Sequence, residues 1–192
     1  MSTLDARRKV LKEALTDADD GVRLAAAGAL EQLEALMGLG QVLEALKSDN
    51  RGQRVKAILA LERVASPRVF APLMEQLKDA DPDIRAAAIQ VLGKKKNPKT
   101  LGGLVKHLKD PHPAVRVHAA EALGHFEDPR LVPYLGAALK ASDLELVKSA
   151  VRALGALGAG EAEPFLIPLA KDSRPAVRRE AVRALGKLRI EG

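Results

Sequence analysis

Three side chains in one short segment are the best candidates for chemistry in this chain of 192 residues: His118, Glu121 and His125. Their spacing of three and then four residues places them on one face of a helix. Imidazole and carboxylate groups on successive turns can form part of a zinc or iron site. One helix, however, brings residues i and i+4 together more easily than it closes three ligands around an ion. We therefore treat the three as weak metal candidates, expect neither metal nor cofactor, and favour a solvated, hydrogen-bonded face.

A second feature is the excess of cations near the carboxyl end. The last predicted helix, from about residue 174 to 189, carries six cations against the single acid Glu180, which is +5 of the total net charge of +6. Its cations are Arg174, Arg178, Arg179, Arg183, Lys187 and Arg189. The favoured interpretation is a terminal unit with a polar outer face. The alternatives are a surface for an acidic protein partner and non-specific binding of nucleic acid.

Composition excludes several classes of site. Cysteine is absent, so there are no disulfides, thiolate metal sites or cysteine nucleophiles. The glycines at 155, 158 and 160 lack the Lys-Ser or Lys-Thr pair that follows a phosphate-binding loop. The sequence shows neither the apolar segment of a signal peptide nor a run of 18 uncharged apolar residues. We predict a non-enzymatic, cytoplasmic protein with no membrane partner.

The elements that position these residues repeat with a period of 31. Leucine returns without insertion at Leu30, Leu61, Leu92, Leu123, Leu154 and Leu185. An alanine stands four residues before each leucine, and an arginine stands seven before it in five units of six. Self-similarity at this period is typical of a solenoid, in which each unit buries its apolar face against its neighbours. The sequence therefore predicts an all-α solenoid in one domain over residues 1–192, with units at about 1–35, 36–66, 67–97, 98–128, 129–159 and 160–192.

Each unit is predicted to be a helical hairpin. In the third unit, Ser66 and Pro67 begin a helix that runs to about Lys78. Asp81 and Pro82 then begin a second helix, which runs to about residue 95. A glycine follows the repeating leucine in four units, at residues 93, 124, 155 and 186. Because glycine disfavours a helix interior, this column predicts a close contact that leaves no room for a side chain.

The segments 81–88 with 91–93 and 113–116 with 119–124 resemble the HEAT-like repeat of the phycobilisome (PBS) lyase type. The resemblance covers nearly the whole chain and implies a right-handed α-solenoid, with second helices lining the concave face. It also implies that the recurrent arginines form a ladder with capping aspartates of adjacent units. Known members include bilin lyase subunits, iron-dependent hydroxylases, DNA glycosylase relatives and scaffolds. The His-Glu dipeptides of the hydroxylases are missing here, and no aromatic residue lies on a predicted groove register.

Groove positions that vary between units are the better candidates for function. If the alanine and leucine columns face the core, the groove is lined one residue before, two after and six after each core alanine, as at Ala87, Gln90 and Lys94. We predict a non-catalytic scaffold that binds a protein or peptide partner with an acidic region. The alternatives are a bilin-lyase-like chromophore-handling subunit and nucleic-acid binding by the basic last helix. The predicted partner-binding residues are Lys56, Leu59, Arg63, Gln90, Lys94, His118, Glu121, His125, Arg152, Arg179, Arg183 and Lys187.

Overall fold

The structure, a computed structural model, describes residues 3–189 and contains twelve α-helices and no β-strand over that range. The helices are α1 Thr3–Ala14, α2 Asp20–Met37, α3 Leu39–Ala45, α4 Arg51–Ala60, α5 Phe70–Gln76, α6 Pro82–Lys95, α7 Leu101–Lys106, α8 Pro113–Leu123, α9 Val132–Ala138, α10 Leu144–Leu157, α11 Glu163–Leu166 and α12 Pro175–Leu185. Odd-numbered helices are the first, and even-numbered helices the second, of each hairpin. The predicted all-α repeat fold is confirmed. The chain divides into two compact units, one up to residue 72 and one from residue 73 onward, and the single domain over 1–192 stays a prediction.

Helix starts follow the predicted capping residues. Side chains accept a backbone N–H at the start of four second helices, at Asp19, Asn50, Asp81 and Asp143. First helices begin less regularly than predicted, because Pro67 opens a 3₁₀ turn, Pro67–Val69, that precedes α5. At the other end, the N–H of Lys78 bonds to the carbonyl of Glu75, so the last turn tightens and α5 stops at Gln76. The second helix α6 has the predicted extent.

The second helices α6, α8, α10 and α12 pack one against the next in the unit from residue 73 onward. Their leucine column is fully buried at Leu92, Leu123 and Leu154. The glycine column lies where the helices approach most closely. A Cβ atom added to Gly93 would lie 2.6 Å from the Cβ of Ala122, and one added to Gly124 would lie 2.9 Å from the Cα of Ala153. The predicted close contact is therefore confirmed at Gly93, Gly124 and Gly155, each of which faces an alanine of the following unit, but not at Gly186, where an added Cβ would meet nothing closer than 3.8 Å.

Two of the recurrent arginines, Arg85 and Arg116, join one hairpin to the next. Arg85 donates from Nη1 to the carbonyls of Asp79 (2.8 Å) and Ala80 (3.0 Å), and from Nε and Nη2 to the carboxylate of Asp110, both at 2.8 Å. Arg116 repeats this arrangement with the carbonyl of Asp110 at 3.0 Å and the carboxylate of Asp143 at 3.0 Å. These two arginines form the predicted ladder between adjacent units.

The identity of the paired carboxylate departs from the prediction at one position. Asp143 is the N-cap of α10, as expected, but Asp110 stands two residues before the N-cap of α8, which is His112. Asp110 accepts the N–H of His112 at 2.8 Å and is almost fully buried. Burial raises the pKa of Asp110, but the hydrogen bonds from Arg85 and from His112 outweigh it, so its pKa lies below the usual value. The ionised carboxylate of Asp110 therefore stabilises the folded protein at pH values above the ordinary pKa of aspartate. This stabilisation is lost as the pH falls through the lowered pKa of the folded state.

The fifth unit lacks its arginine. Val147 occupies the arginine register, and Ala141 occupies the register of Asp79, Asp110 and Asp172. Without an arginine from the preceding unit, Asp172 pairs with Arg174 two residues later, at 2.8 Å between Oδ1 and Nε. This hydrogen bond lowers the pKa of Asp172 to about 2. The ladder is thus interrupted between the fifth and sixth units.

The substitution Gly124→Ala should destabilise the protein, because the new Cβ would overlap the backbone of Ala153. We expect a loss of about 1–3 kcal/mol in the free energy of unfolding, measured by urea denaturation. Gly186→Ala is the matched control, since both glycines are helix C-caps with φ near −65° and a Cβ at Gly186 meets nothing closer than 3.8 Å. Its stability should not fall. Equal losses in the two variants would contradict the close-packing explanation.

The substitution Arg85→Met should also destabilise the protein, because it leaves the buried carboxylate of Asp110 without its partner. We expect a loss of about 3 kcal/mol at pH 7. Arg130→Met removes an exposed pair with Asp128 and should cost less than about 1 kcal/mol. The cost of Arg85→Met should shrink as the pH falls and Asp110 protonates in both folded and unfolded states. A cost that does not change with pH would contradict the pairing.

Candidate functional site

A depression of about 430 Å³ lies between α6, α8 and α10. Its floor is formed by small residues at the glycine–alanine contacts, which keep the three helices close together. Six of the predicted partner-binding residues lie in it. The full lining is Gln90, Lys94, His118, Glu121, Ala122, Gly124, His125, Ser149, Arg152, Ala153 and Ala156. Three successive hairpins therefore contribute side chains to one surface.

A chain of polar contacts crosses this depression from one helix to the next. His118 Nδ1 lies 3.3 Å from Gln90 Nε2 on α6 and 3.3 Å from Glu121 Oε2 on its own helix. Glu121 Oε1 accepts from Ser149 Oγ and from Arg152 Nη2 on α10, both at 3.4 Å. Arg152 Nη2 also donates to Ser149 Oγ at 2.6 Å. The contacts hold side chains of three repeats in a fixed mutual position.

The polar atoms of the depression suit recognition better than nucleophilic chemistry. Ser149 is fully buried and its hydroxyl contacts Arg152 and Glu121, so no histidine is placed to take its proton. Glu121 is shared between a guanidinium, a hydroxyl and an imidazole. What remains accessible is a mixed surface with Lys94, His125 and Arg152 exposed on it.

The metal candidates are only partly brought together. His118 and Glu121 are in contact, and His125 lines the same depression. Within residues 3–189, no three side chains of the histidine, cysteine, aspartate and glutamate types are grouped so that they could hold a metal ion. His107, in the same repeat, has a structural position, because its ring nitrogens contact the carbonyls of Gly103 (2.8 Å) and Leu77 (2.9 Å).

Three predicted residues belong to the unit up to residue 72. Lys56 and Leu59 lie on α4, and Arg63 lies at the end of the 3₁₀ turn Leu61–Arg63. All three are exposed. Arg63 forms an ion pair with Glu31 at 3.0 Å, so the glutamate that replaces glycine in the first unit has a partner in the second.

Two cations of the basic last helix are bound within the protein. Arg174 is bound to Asp172, and Arg178 donates to the carbonyls of Asp172 (2.7 Å) and Ser173 (3.1 Å). The three cations of this helix that were predicted to bind a partner are exposed and lie outside the depression: Arg179, Arg183 and Lys187. Arg183 lies 3.4 Å from Glu180 on the same helix. Two of the cations counted in the sequence thus support the fold.

Sequence reasoning missed parts of the site and a second cavity. Ala87 is buried although its register was predicted to line the groove, while the equivalent Ser149 is buried but still lines it. A larger cavity of about 930 Å³ lies on the side of the first helices, between α7 and α9. Its lining combines the apolar residues Val105, Leu108, Tyr134, Ala137 and Leu146 with the charged residues Lys106, Lys109, Asp110, Arg116, Lys140 and Asp143. Ala141 lines this cavity at a register where Asp79, Asp110 and Asp172 stand in other units, and this difference was the sequence feature that could have indicated the cavity.

No helix within residues 3–189 combines the length and the apolar character needed to cross a membrane. No curated protein sequence matches the chain. Among solved structures, the complex of CpcE and CpcF of phycocyanin lyase from Nostoc sp. PCC7120 is similar at 26% identity and a TM-score of 0.69, over 78% of this chain. The chain spans 64% of the length of the lyase chain that it matches.

Two further structures share the fold at lower identity. YibA of Escherichia coli is 21% identical with a TM-score of 0.65, over 96% of this chain and 75% of that one. A designed armadillo repeat protein, in complex with the peptide (KR)4, is 18% identical with a TM-score of 0.60, over 98% of this chain and 100% of that one.

The resemblance to repeats of the PBS lyase type is thus confirmed. The family model for HEAT repeats matches residues 8–81, 70–152 and 135–191. The chain therefore belongs to the HEAT repeat family.

Proposed function

We propose that the chain is a non-catalytic scaffold that binds a segment of a protein partner in the depression between α6, α8 and α10. The observation that carries this proposal is the polar network from Gln90 through His118 and Glu121 to Arg152, which joins variable positions of three repeats. A partner lying along the depression contacts all three repeats at once. Repeat proteins bind in this way along extended surfaces.

The charges favour a partner segment with acidic side chains. Lys94 and Arg152 provide two cations against the one carboxylate of Glu121, and the imidazoles of His118 and His125 add hydrogen-bonding groups. A designed armadillo repeat protein of the same fold is in complex with the peptide (KR)4, so a repeat framework of this kind can hold a charged peptide. The depression contains no aromatic residue, and we expect modest affinity steered by charge.

The depression is also well suited to binding because it is already formed. Its side chains are held by hydrogen bonds across helices whose spacing is set by glycine against alanine. Side chains that are ordered before binding lose less conformational entropy when the partner arrives.

Fluorescence anisotropy with the labelled peptides (DE)4 and (KR)4 tests the proposal. The acidic peptide should bind and the basic one should not. Arg152→Glu should weaken (DE)4 binding at least about tenfold, equivalent to about 1.4 kcal/mol, because it reverses a charge in the depression. Arg130→Glu makes the same charge change at an exposed residue outside the depression and should have little effect. Equal binding of both peptides, or equal effects of both variants, would contradict the proposal.

The basic helix α12 extends the predicted partner surface and also carries the nucleic-acid alternative. The triple change of Arg179, Arg183 and Lys187 to Glu should reduce partner capture from lysate severalfold. It should leave the free energy of unfolding within about 0.5 kcal/mol, since these side chains are exposed. Capture is measured with and without nuclease. Captured protein that persists after nuclease supports the scaffold, whereas loss of the whole bound pool would favour nucleic acid.

The likeness to the phycocyanin lyase complex favours one other function, a bilin-handling subunit that acts with a second subunit. This alternative is tested by mixing the purified chain with a bilin and recording the visible absorption spectrum. A scaffold should leave the spectrum unchanged. A red-shifted or intensified band would support chromophore handling.

A further inference from the structure

The last hairpin exposes a position that is buried in the three hairpins before it. Val182 on α12 is 59% exposed. The equivalent residues one, two and three periods earlier are Val151, Ala120 and Ile89, and all three are 0% exposed. The side of α12 that would face a following hairpin is therefore uncovered over residues 3–189.

The first hairpin shows the complementary feature. Val22 on α2 is 40% exposed, whereas the residues at the same register in later hairpins, Val115, Leu146 and Val177, are at most 2% exposed. This register belongs to the side of a second helix that would face a preceding hairpin. Each end of the array therefore keeps an apolar side that interior hairpins cover.

First helices provide a second pair of matching positions. Gly103 packs against Met74, and 62 residues later Phe165 packs against Gly136, so each contact joins residues 29 apart. Ile167 occupies the register of Met74 and Gly136. If another hairpin followed the last one, the residue 29 positions after Ile167 would lie against it, and this residue has the register of Val10. Ile167 is 52% exposed and Val10 is 63% exposed.

In the first and last hairpins, the arginine–aspartate and glycine–alanine contacts also lack one of their two members. Arg178 binds two backbone carbonyls, as Arg85 does, but within residues 3–189 it pairs with no carboxylate. Asp17 occupies the register of Asp110 and is exposed. In the glycine column, Gly186 has no close neighbour, and the alanine register that would oppose it in a following hairpin is filled in the first unit by the exposed Ala29.

The net charges of the first and last hairpins also favour contact between these two hairpins of different copies. Residues 1–35 contain five cations and seven acids, a net charge of −2, whereas the segment 174–189 carries +5. The acidic turn around Asp17 and Asp19 thus belongs to the first hairpin, whereas the basic α12 belongs to the last. Opposite charge favours contact between unlike ends and disfavours contact between like ends.

We propose that two copies of this chain associate head to tail, with the carboxyl-terminal face of one on the amino-terminal face of the other. The carboxyl-terminal face consists of Ile167, Arg178, Val182 and Gly186, and the amino-terminal face consists of Val10, Asp17, Val22 and Ala29. In this arrangement Val10 packs on Ile167, Arg178 pairs with Asp17, and Ala29 lies against Gly186. Because the two faces differ, the contact is heterologous and each bound copy leaves one face open for the next.

Sedimentation velocity of the full chain over a wide concentration range tests the proposal. The mean sedimentation coefficient of the wild-type protein should rise with concentration and fall when salt is added. Val10→Glu and Val182→Glu should each remain monomeric, since each places a charge in one face. Leu144→Glu introduces the same charge at an exposed leucine on neither face and should associate as the wild type does.

An equimolar mixture of the Val10→Glu and Val182→Glu variants gives the decisive result. The first variant keeps an intact carboxyl-terminal face and the second an intact amino-terminal face, so together they should form a dimer that cannot grow. A mixture that stays monomeric would overturn the proposal, as would a wild-type chain that remains monomeric throughout. Loss of association in Leu144→Glu would also overturn it. Circular dichroism melts of all three variants check that each is folded.

Discussion

The close approach of consecutive second helices is the constraint on which the unit from residue 73 depends. A glycine of one helix faces an alanine of the next with no space for one more carbon atom at Gly93 or Gly124. At this separation, leucine side chains of successive hairpins are fully buried and form one apolar core. The same separation brings Gln90 within hydrogen-bonding range of His118, and Glu121 within range of Ser149 and Arg152, across the depression. Packing and site geometry therefore have a common origin.

The arginines solve a different problem, which is how consecutive hairpins are held in register at their polar ends. Arg85 and Arg116 satisfy carbonyls that follow one first helix and a carboxylate of the next hairpin at the same time. A buried carboxylate such as Asp110 requires this partner, because an unpaired charge in that position would be strongly destabilising. Since the same contact is made at both arginines, it serves the fold and not a particular ligand. At Val147 the ladder is interrupted, and the fifth and sixth hairpins are joined by the packing of Gly155 against Ala184 and by a backbone hydrogen bond from the N–H of Arg189 to the carbonyl of Gly158.

The lining of the depression differs between repeats, whereas the core positions do not. Core columns repeat an alanine or a leucine in every hairpin, whereas the lining of the depression changes from Gln90 and Lys94 to His118 and Glu121 and then to Arg152. A phycocyanin lyase, an Escherichia coli protein and a designed peptide binder share the helical framework. The framework therefore identifies no reaction, and the arrangement of variable side chains is what distinguishes one member from another.

Local and periodic signals in the sequence determined the architecture. The period of 31, the capping residues Asp81 and Asp143 and the extent of α6 were all predictable, because they depend on spacing along the chain or on a hydrogen bond within a few residues. The glycine column also predicted tight packing, since glycine within a helix needs a compensating contact.

Only the tertiary structure decided which groups meet across hairpins. It pairs Arg85 with Asp110, not with the N-cap residue two positions later, and it buries Ala87 and Ser149 at a register predicted to be open. It also places a polar network in the groove and binds Arg178 to backbone carbonyls. These outcomes depend on distances between helices set by the summed packing of many side chains, and no short stretch of sequence encodes such distances.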